Sequence, residues 1–409
     1  MINDRDKSIV RELAKKYMSL VCSEKQARMS ARFRDTNDLR ATRPPLILEE
    51  IPWYQMNMNG ELDCMCENEK ARGVEYFFRR AIFYMTHFKA DNLYLPEFRI
   101  KRAVRSSGIG IEFEATDLKR TDAFNNIVSR EYRDVLEDES ALEKMHDPTF
   151  ELCPEKDAAE LEFHTELLGD SIPIKLFGFD YFYYAPWDKI TRLRGVEPIL
   201  MDMYDRPEYL HEIIKKFTSA AHAELDFVEQ NLDVDKSNSL HCTPSPITVD
   251  EGKGLKSTWC RSMAQSFGVI SPAMFEEFEL DYLLSVAERF AYTYYGCCEP
   301  LDDKIGILKK IPNLRKIGCS PWAKVESCAE QIGGDYVLSR KPNPANVAMR
   351  TDPELIKSEI DQTVKACIKH GCPYDIVLKD ISTVSHRPEN LIVWAEAASE
   401  VLDKYYGEI

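Results

Sequence analysis

The densest run of reactive side chains is TYYGCCEPLDDKI, residues 293–305, in which Tyr295, Cys297, Cys298 and Glu299 nearly adjoin. A thiol that loses its proton is a nucleophile and a soft metal ligand. Two adjacent cysteines are a poor chelate by themselves. A zinc site at Cys297 would need further ligands from His241, Cys242, Glu299 or Cys319. His241 and Cys242 lie together in LHCTPSP, ahead of a proline-rich loop. Arg340–Lys341 and Lys379–Asp380 add cations that could hold an anionic substrate group or pair with Glu49 and Asp380. Tyr181, in the aromatic stretch FDYFYYAPW, could line a cavity for a planar ligand. Each residue also has an ordinary role: cysteines fill cores, cations pair with carboxylates, and strand ends are polar because they meet water.

These residues matter as a group only if the fold gathers them. From residue 171 the chain alternates strand and helix. The expected strands are Ile172–Phe179, Lys236–His241, Phe290–Cys297, Leu314–Cys319, Tyr336–Arg340 and Tyr374–Lys379, with an earlier one in PPLILEEIPW at 44–53. Helix starts repeat one signature, a polar residue followed by proline, at Pro207, Pro272, Pro353 and Pro388. Behind Pro353, Ile356, Ile360, Val364 and Cys367 share one face. Gly371 and Pro373 mark the end of that helix, and a strand must follow at once. Short loops between such units predict a parallel sheet covered by helices, and the even spacing favours an α/β (β/α)₈ TIM barrel. The alternative, a doubly wound open sheet, lacks a G-x-G-x-x-G after its first strand. In a barrel the active site lies at the C-terminal strand ends. Those ends read Glu49–Glu50, Asp180–Tyr181, His241–Cys242, Cys297–Glu299, Cys319–Ser320, Arg340–Lys341 and Lys379–Asp380.

The expected organisation is a helical N-terminal extension at 1–43 and a barrel at 44–409 carrying an acidic insertion at 112–170. With 409 residues and 44% apolar content, the chain can bury roughly three quarters of its unfolded surface. The net charge of −16 disfavours phosphate backbones, so nucleic acid is not an expected partner. No apolar run is long enough to span a bilayer, and the charged N-terminus carries no signal-peptide pattern. The expected location is cytoplasmic, with the twelve cysteines reduced.

The segments at 194–214, 266–282, 294–323, 333–345 and 378–398 (RGVEPILMDMYDRPEYLHEII, SFGVISPAMFEEFELDY, YYGCCEPLDDKIGILKKIPNLRKIGCSPWA, GGDYVLSRKPNPA and LKDISTVSHRPENLIVWAEAA) resemble the uroporphyrinogen decarboxylase superfamily, especially its corrinoid-dependent methyltransferase branch. The resemblance implies a barrel with a deep cavity at its C-terminal mouth, and often a homodimer. The decarboxylases' N-terminal arginine motif is missing near the first strand. The methyltransferases' His-x-Cys zinc motif falls on Tyr295-Gly296-Cys297, and Lys379, Asp380 and Ile381 stand where a later cysteine belongs. Two of the three implied zinc ligands are therefore absent. The resemblance thus implies methyl transfer from a small O- or N-methylated donor to a corrinoid (cobalamin) presented by a partner protein. Tyr295, His241 or Lys379 would be the general acid, and Glu49, Tyr181, Cys242, Cys298, Glu299, Arg340, Lys341 and Asp380 would surround the donor. The alternatives are a cofactor-free decarboxylase of an acidic substrate and a non-enzymatic barrel that binds a corrinoid or tetrapyrrole.

Overall fold

The computed structural model describes residues 2–118, 129–235, 239–240, 243–244, 252–349 and 351–407. Its strands include β1 (Leu46–Leu48), β2 (Phe98–Lys101), β3 (Ile174–Phe177), β4 (Tyr181–Tyr184), β5 (Trp259–Ser262), β6 (Tyr292–Tyr295), β7 (Leu314–Cys319), β8 (Val337–Arg340) and β9 (Tyr374–Leu378). Seven of them form one parallel sheet in the order β1-β9-β8-β7-β6-β5-β4. β2 and β3 pair separately, in parallel. The sheet curls into a half-barrel. Among the described residues no ladder joins β1 to β4, so the ring expected from the sequence is open there.

The opening at β1 has a local cause. A parallel edge exposes backbone donors that must find partners. The Leu46 amide donates to Asp91 Oδ2 at 2.9 Å, and the Leu48 amide donates to Tyr84 Oη at 3.1 Å. Arg32 fixes Asp91 at 2.6 Å, and the Tyr84 hydroxyl donates to the Asp91 carbonyl at 3.1 Å. Side chains thus occupy donors that a further strand would have used.

The principal helices are α1 (Asp4–Val21), α2 (Glu24–Asn37), α3 (Glu69–His87), α4 (Pro154–Leu168), α5 (Pro186–Arg194), α6 (Pro207–Asn231), α7 (Val325–Ile332), α8 (Pro353–His370) and α9 (Glu389–Tyr406). Asn3 and Ser23 cap α1 and α2 by accepting from the amides of Asp6 and Gln26. Val10, Ala14, Tyr17 and Val21 of α1 join Phe78 of α3 and Leu167 of α4 in a core of their own. The main core fills the space between the sheet and the remaining helices. α8 follows its sequence pattern closely. Asp352 caps it, its four apolar residues are buried, and Gly371 ends it with a φ of 63°.

The segment 172–179 departs from expectation. It ends early as β3, and a second strand, β4, follows. Gly178 lies too close to the Asp233 carbonyl to accept a side chain, and the amide of Phe179 donates to that carbonyl at 3.0 Å. This contact interrupts the expected strand. Of the strand expected at 236–241, only Ser239–Leu240 is described, paired antiparallel with Thr243–Pro244. His241 and Cys242 lie outside the described residues.

Candidate active site

Side chains alternate along each strand, so register decides which residues share the concave face. Arg261 of β5 pairs in register with Tyr294 of β6, and Tyr294 with Lys316 of β7. Ser339 of β8 pairs in register with Asp375 of β9. These five residues form one continuous polar row, all of them buried. Lys316 Nζ lies 2.6 Å from Asp375 Oδ2. Ser339 Oγ donates to Asp375 Oδ1 at 2.5 Å, and Tyr294 Oη donates to Ser339 Oγ at 3.0 Å. Lys341 Nζ donates to Tyr294 Oη. The Arg261 guanidinium stacks over the Tyr294 ring, 3.9 Å from its centroid. Burial pushes the Lys316 ammonium downward, against the attraction of Asp375. Charged groups this deep need mutual hydrogen bonds, and the row supplies them.

At the C-terminal ends of β1, β6 and β9 a second group converges. Lys379 Nζ lies 2.6 Å from Asp380 Oδ1, 3.5 Å from Glu50 Oε2 and 3.5 Å from Cys298 Sγ. The Cys298 thiol donates to Asp380 Oδ2 at 2.9 Å, and its sulfur is 3.5 Å from that of Cys297. The Asp380 amide donates to Glu50 Oε2 at 2.9 Å. Burial raises the Asp380 pKa, but Lys379 and the Cys298 thiol outweigh it and hold the carboxyl below its ordinary range. Glu49 is pushed up to about 7 by burial and by the charge of Glu50, with Lys379 opposing. The hydrogen bond to Cys297 and burial both push the Cys298 thiol up, so it stays protonated near neutrality.

Gly296 controls what enters this group. β6 ends at Tyr295, and Gly296 follows with a φ of 93°. The turn breaks the alternation, so Cys297 packs against Ala185, Met263 and Tyr183. The Cys297 amide donates to Glu299 Oε2 at 2.9 Å. Burial, then the neighbouring Cys297, raises Glu299 to about 7.

The sequence therefore named several residues that the fold gathers. Cys297, Cys298, Lys379 and Asp380 meet, Glu49 stands beside them, Glu299 supports the Cys297 backbone, and Lys341 joins the polar row. Three other expectations are corrected. Tyr295 belongs to the opposite face of β6, fully buried, with its hydroxyl donating to Glu279 Oε1 at 3.2 Å in the helical layer. Arg340 also faces the helices, donating to the Ser320 carbonyl at 2.6 Å and to Glu359 of α8 at 3.3 Å. Tyr181 begins β4 rather than ending a strand, so it lies at the opposite end of the sheet from the thiols. Sequence reasoning missed Arg261, Tyr294, Lys316, Ser339 and Asp375. A charged residue within an apolar strand, as in WCRS, LRKIGC and YDIVL, was the available signal. Among the described residues no three histidine, cysteine, aspartate or glutamate side chains are placed to hold a metal ion, and His241 and Cys242, two of the ligands considered for zinc, lie outside those residues.

No family model matches the sequence, and no curated protein matches it. Among solved structures the fold is similar to a methyltransferase from Methanosarcina mazei, with a TM-score of 0.50 and 11% identity over 92% of this chain and 99% of that one. It is also similar to a B12-independent methionine synthase from Shewanella sp. W3-18-1, with a TM-score of 0.37 and 13% identity over 73% of this chain and 77% of that one. The first likeness shows the fold over nearly the whole chain. No helix among the described residues is long and apolar enough to cross a membrane.

Proposed function

We propose that the protein is a methyltransferase of the uroporphyrinogen decarboxylase-like kind, moving a methyl group from a small O- or N-methylated donor to a corrinoid on a partner protein. The observation that carries this reading is Lys379, a buried ammonium at the strand ends, held by Asp380 and Glu50 beside Cys298. The likeness in fold to the M. mazei methyltransferase supports it. Breaking a methyl–oxygen or methyl–nitrogen bond leaves the electron pair on the heteroatom, which must gain a proton. Lys379 supplies that proton, and Asp380 and Glu50 fix its position. A reduced corrinoid on the partner protein would supply the electron pair that takes up the methyl carbon. This chemistry makes no thiolate, in keeping with a Cys298 that stays protonated.

The test is an anaerobic assay with a reduced corrinoid protein and a panel of methoxylated and N-methylated compounds. Methylation of the corrinoid with wild type, and its loss in Lys379→Met, supports the reading. No methylation with any donor counts against it.

A second reading draws on the polar row. The row holds three cations, Arg261, Lys316 and Lys341, against one carboxylate, Asp375, which is paired with Lys316, an excess of positive charge suited to an acidic substrate and a cofactor-free decarboxylation. Carbon dioxide release from a polycarboxylic acid without added corrinoid would establish that reaction instead.

A further inference from the structure

A cavity of about 950 Å³ runs beside β4, the strand at the open end of the sheet. Its volume is at the upper end of the range for small-molecule sites. Glu50, Cys297, Cys298, Lys379 and Asp380 do not line it. Its walls come from β4, from α6 and from the segments around β2 and residue 150. Three features define its chemistry.

The first is aromatic. Phe150 and Phe227 stack on one wall with centroids 5.4 Å apart and planes at 30°. Tyr183 of β4 faces the cavity as well. Flat rings of this kind prefer another flat ring to a branched chain. The second is cationic. Lys101 and Lys189 stand at the rim, both exposed. Among the described residues neither makes a hydrogen bond or a close ion pair. Arg102, by contrast, is engaged by Asp157 at 3.4 Å. The third is Glu224, half-buried, on which both lysines act. Burial raises its pKa, against the pull of Lys189 and Lys101. Asp180 also lines the cavity. Two acidic side chains oppose a doubly charged ligand such as a phosphate ester. They leave the two lysines suited to a single negative charge.

We propose that this cavity binds an aromatic carboxylic acid, its ring along Tyr183, Phe150 and Phe227 and its carboxylate at Lys101 and Lys189. Tyr183 and Ala185 line the cavity and also pack with Cys297, so the site shares a wall with the thiols of the mouth. The inference concerns binding alone and does not depend on the reaction proposed above.

Calorimetric titration of the full chain with three probes tests it: naphthoate, its neutral counterpart naphthalenemethanol, and cyclohexanecarboxylate. Naphthoate is expected to bind roughly tenfold more tightly than the alcohol, the effect of one charge-assisted contact. It should also bind more tightly than the cyclohexane acid. In the double variant Lys101→Glu/Lys189→Glu the preference for naphthoate over the alcohol should vanish, with the alcohol's own affinity unchanged. That unchanged affinity also shows that the variant is folded. Equal binding of acid and alcohol to wild type, equal binding of the two acids, no binding of naphthoate, or a preference that survives the double variant would each overturn the proposal.

Discussion

Asp380 donates its amide to the Glu50 carboxylate at 2.9 Å, and both residues hold left-handed backbone, with φ of 57° and 52°. Neither is glycine, so each conformation carries a cost of about 1–3 kcal/mol that its surroundings must overcome. β1 and β9 pair in register and end together, and the strained pair sits just past their ends. Strain at two carboxylates around one lysine marks positions kept for geometry rather than comfort. The proposed proton donor is held by this arrangement.

Replacing Lys379 by methionine should lower methyl transfer by about a hundredfold or more, the usual contribution of a positioned acid. Corrinoid spectra recorded under anaerobic turnover measure it. A donor whose leaving group needs no proton, such as a quaternary ammonium, should lose much less. An equal loss with both donors would assign Lys379 to binding instead.

Lys316 and Asp375 form a fully buried ion pair. Lys316→Met should destabilise the fold by about 3–5 kcal/mol, because it leaves a buried carboxylate without its charge partner. Adding Asp375→Leu should recover much of that loss. Urea unfolding of the two variants gives the comparison.

Glu299 is buried, with its pKa raised from 4.5 to about 7. The native state therefore holds a proton that the unfolded chain releases earlier. Its contribution is complete below about pH 4.5 and is lost as pH rises through about 7, a change of roughly 3 kcal/mol. Glu299→Gln should flatten that part of the stability curve. A variant whose urea midpoint falls between pH 5 and 8 as steeply as wild type would show that another group is responsible.

Gly296→Ala should be damaging out of proportion to one methyl group. Its φ of 93° disfavours any side chain, and a Cβ there would meet the Leu301 side chain and the backbone of Gly318. A loss of about 1–3 kcal/mol is expected, together with altered alkylation rates at Cys298. Gly318→Ala should fail similarly, since its Cβ would lie 2.7 Å from the Gly296 carbonyl carbon.

Local rules were enough wherever the cause lay within a few residues. The cap at Asp352, the buried face of α8 and its stop at Gly371 follow from one stretch of sequence, and so do the polar strand ends at Lys379 and Cys297. The misread features depend on distant partners. β3 stops because Gly178 touches Asp233, a residue more than fifty positions on. Tyr295 and Cys297 look like neighbours on one face until Gly296 changes the phase between them. The polar row escaped notice because each member has its partners on other strands, so no single segment displays the charge balance.

The side chains that occupy the amides of β1 have an effect beyond shaping the seam. An unfinished parallel sheet ordinarily invites a strand from a neighbouring molecule. Here Asp91 and Tyr84 already occupy the Leu46 and Leu48 donors, and Arg32 braces Asp91 from α2. On that margin, where no ladder among the described residues continues the sheet, the protein resists edge-to-edge aggregation. Loss of the Tyr84 hydroxyl or the Asp91 carboxylate would therefore show first as stickiness between molecules.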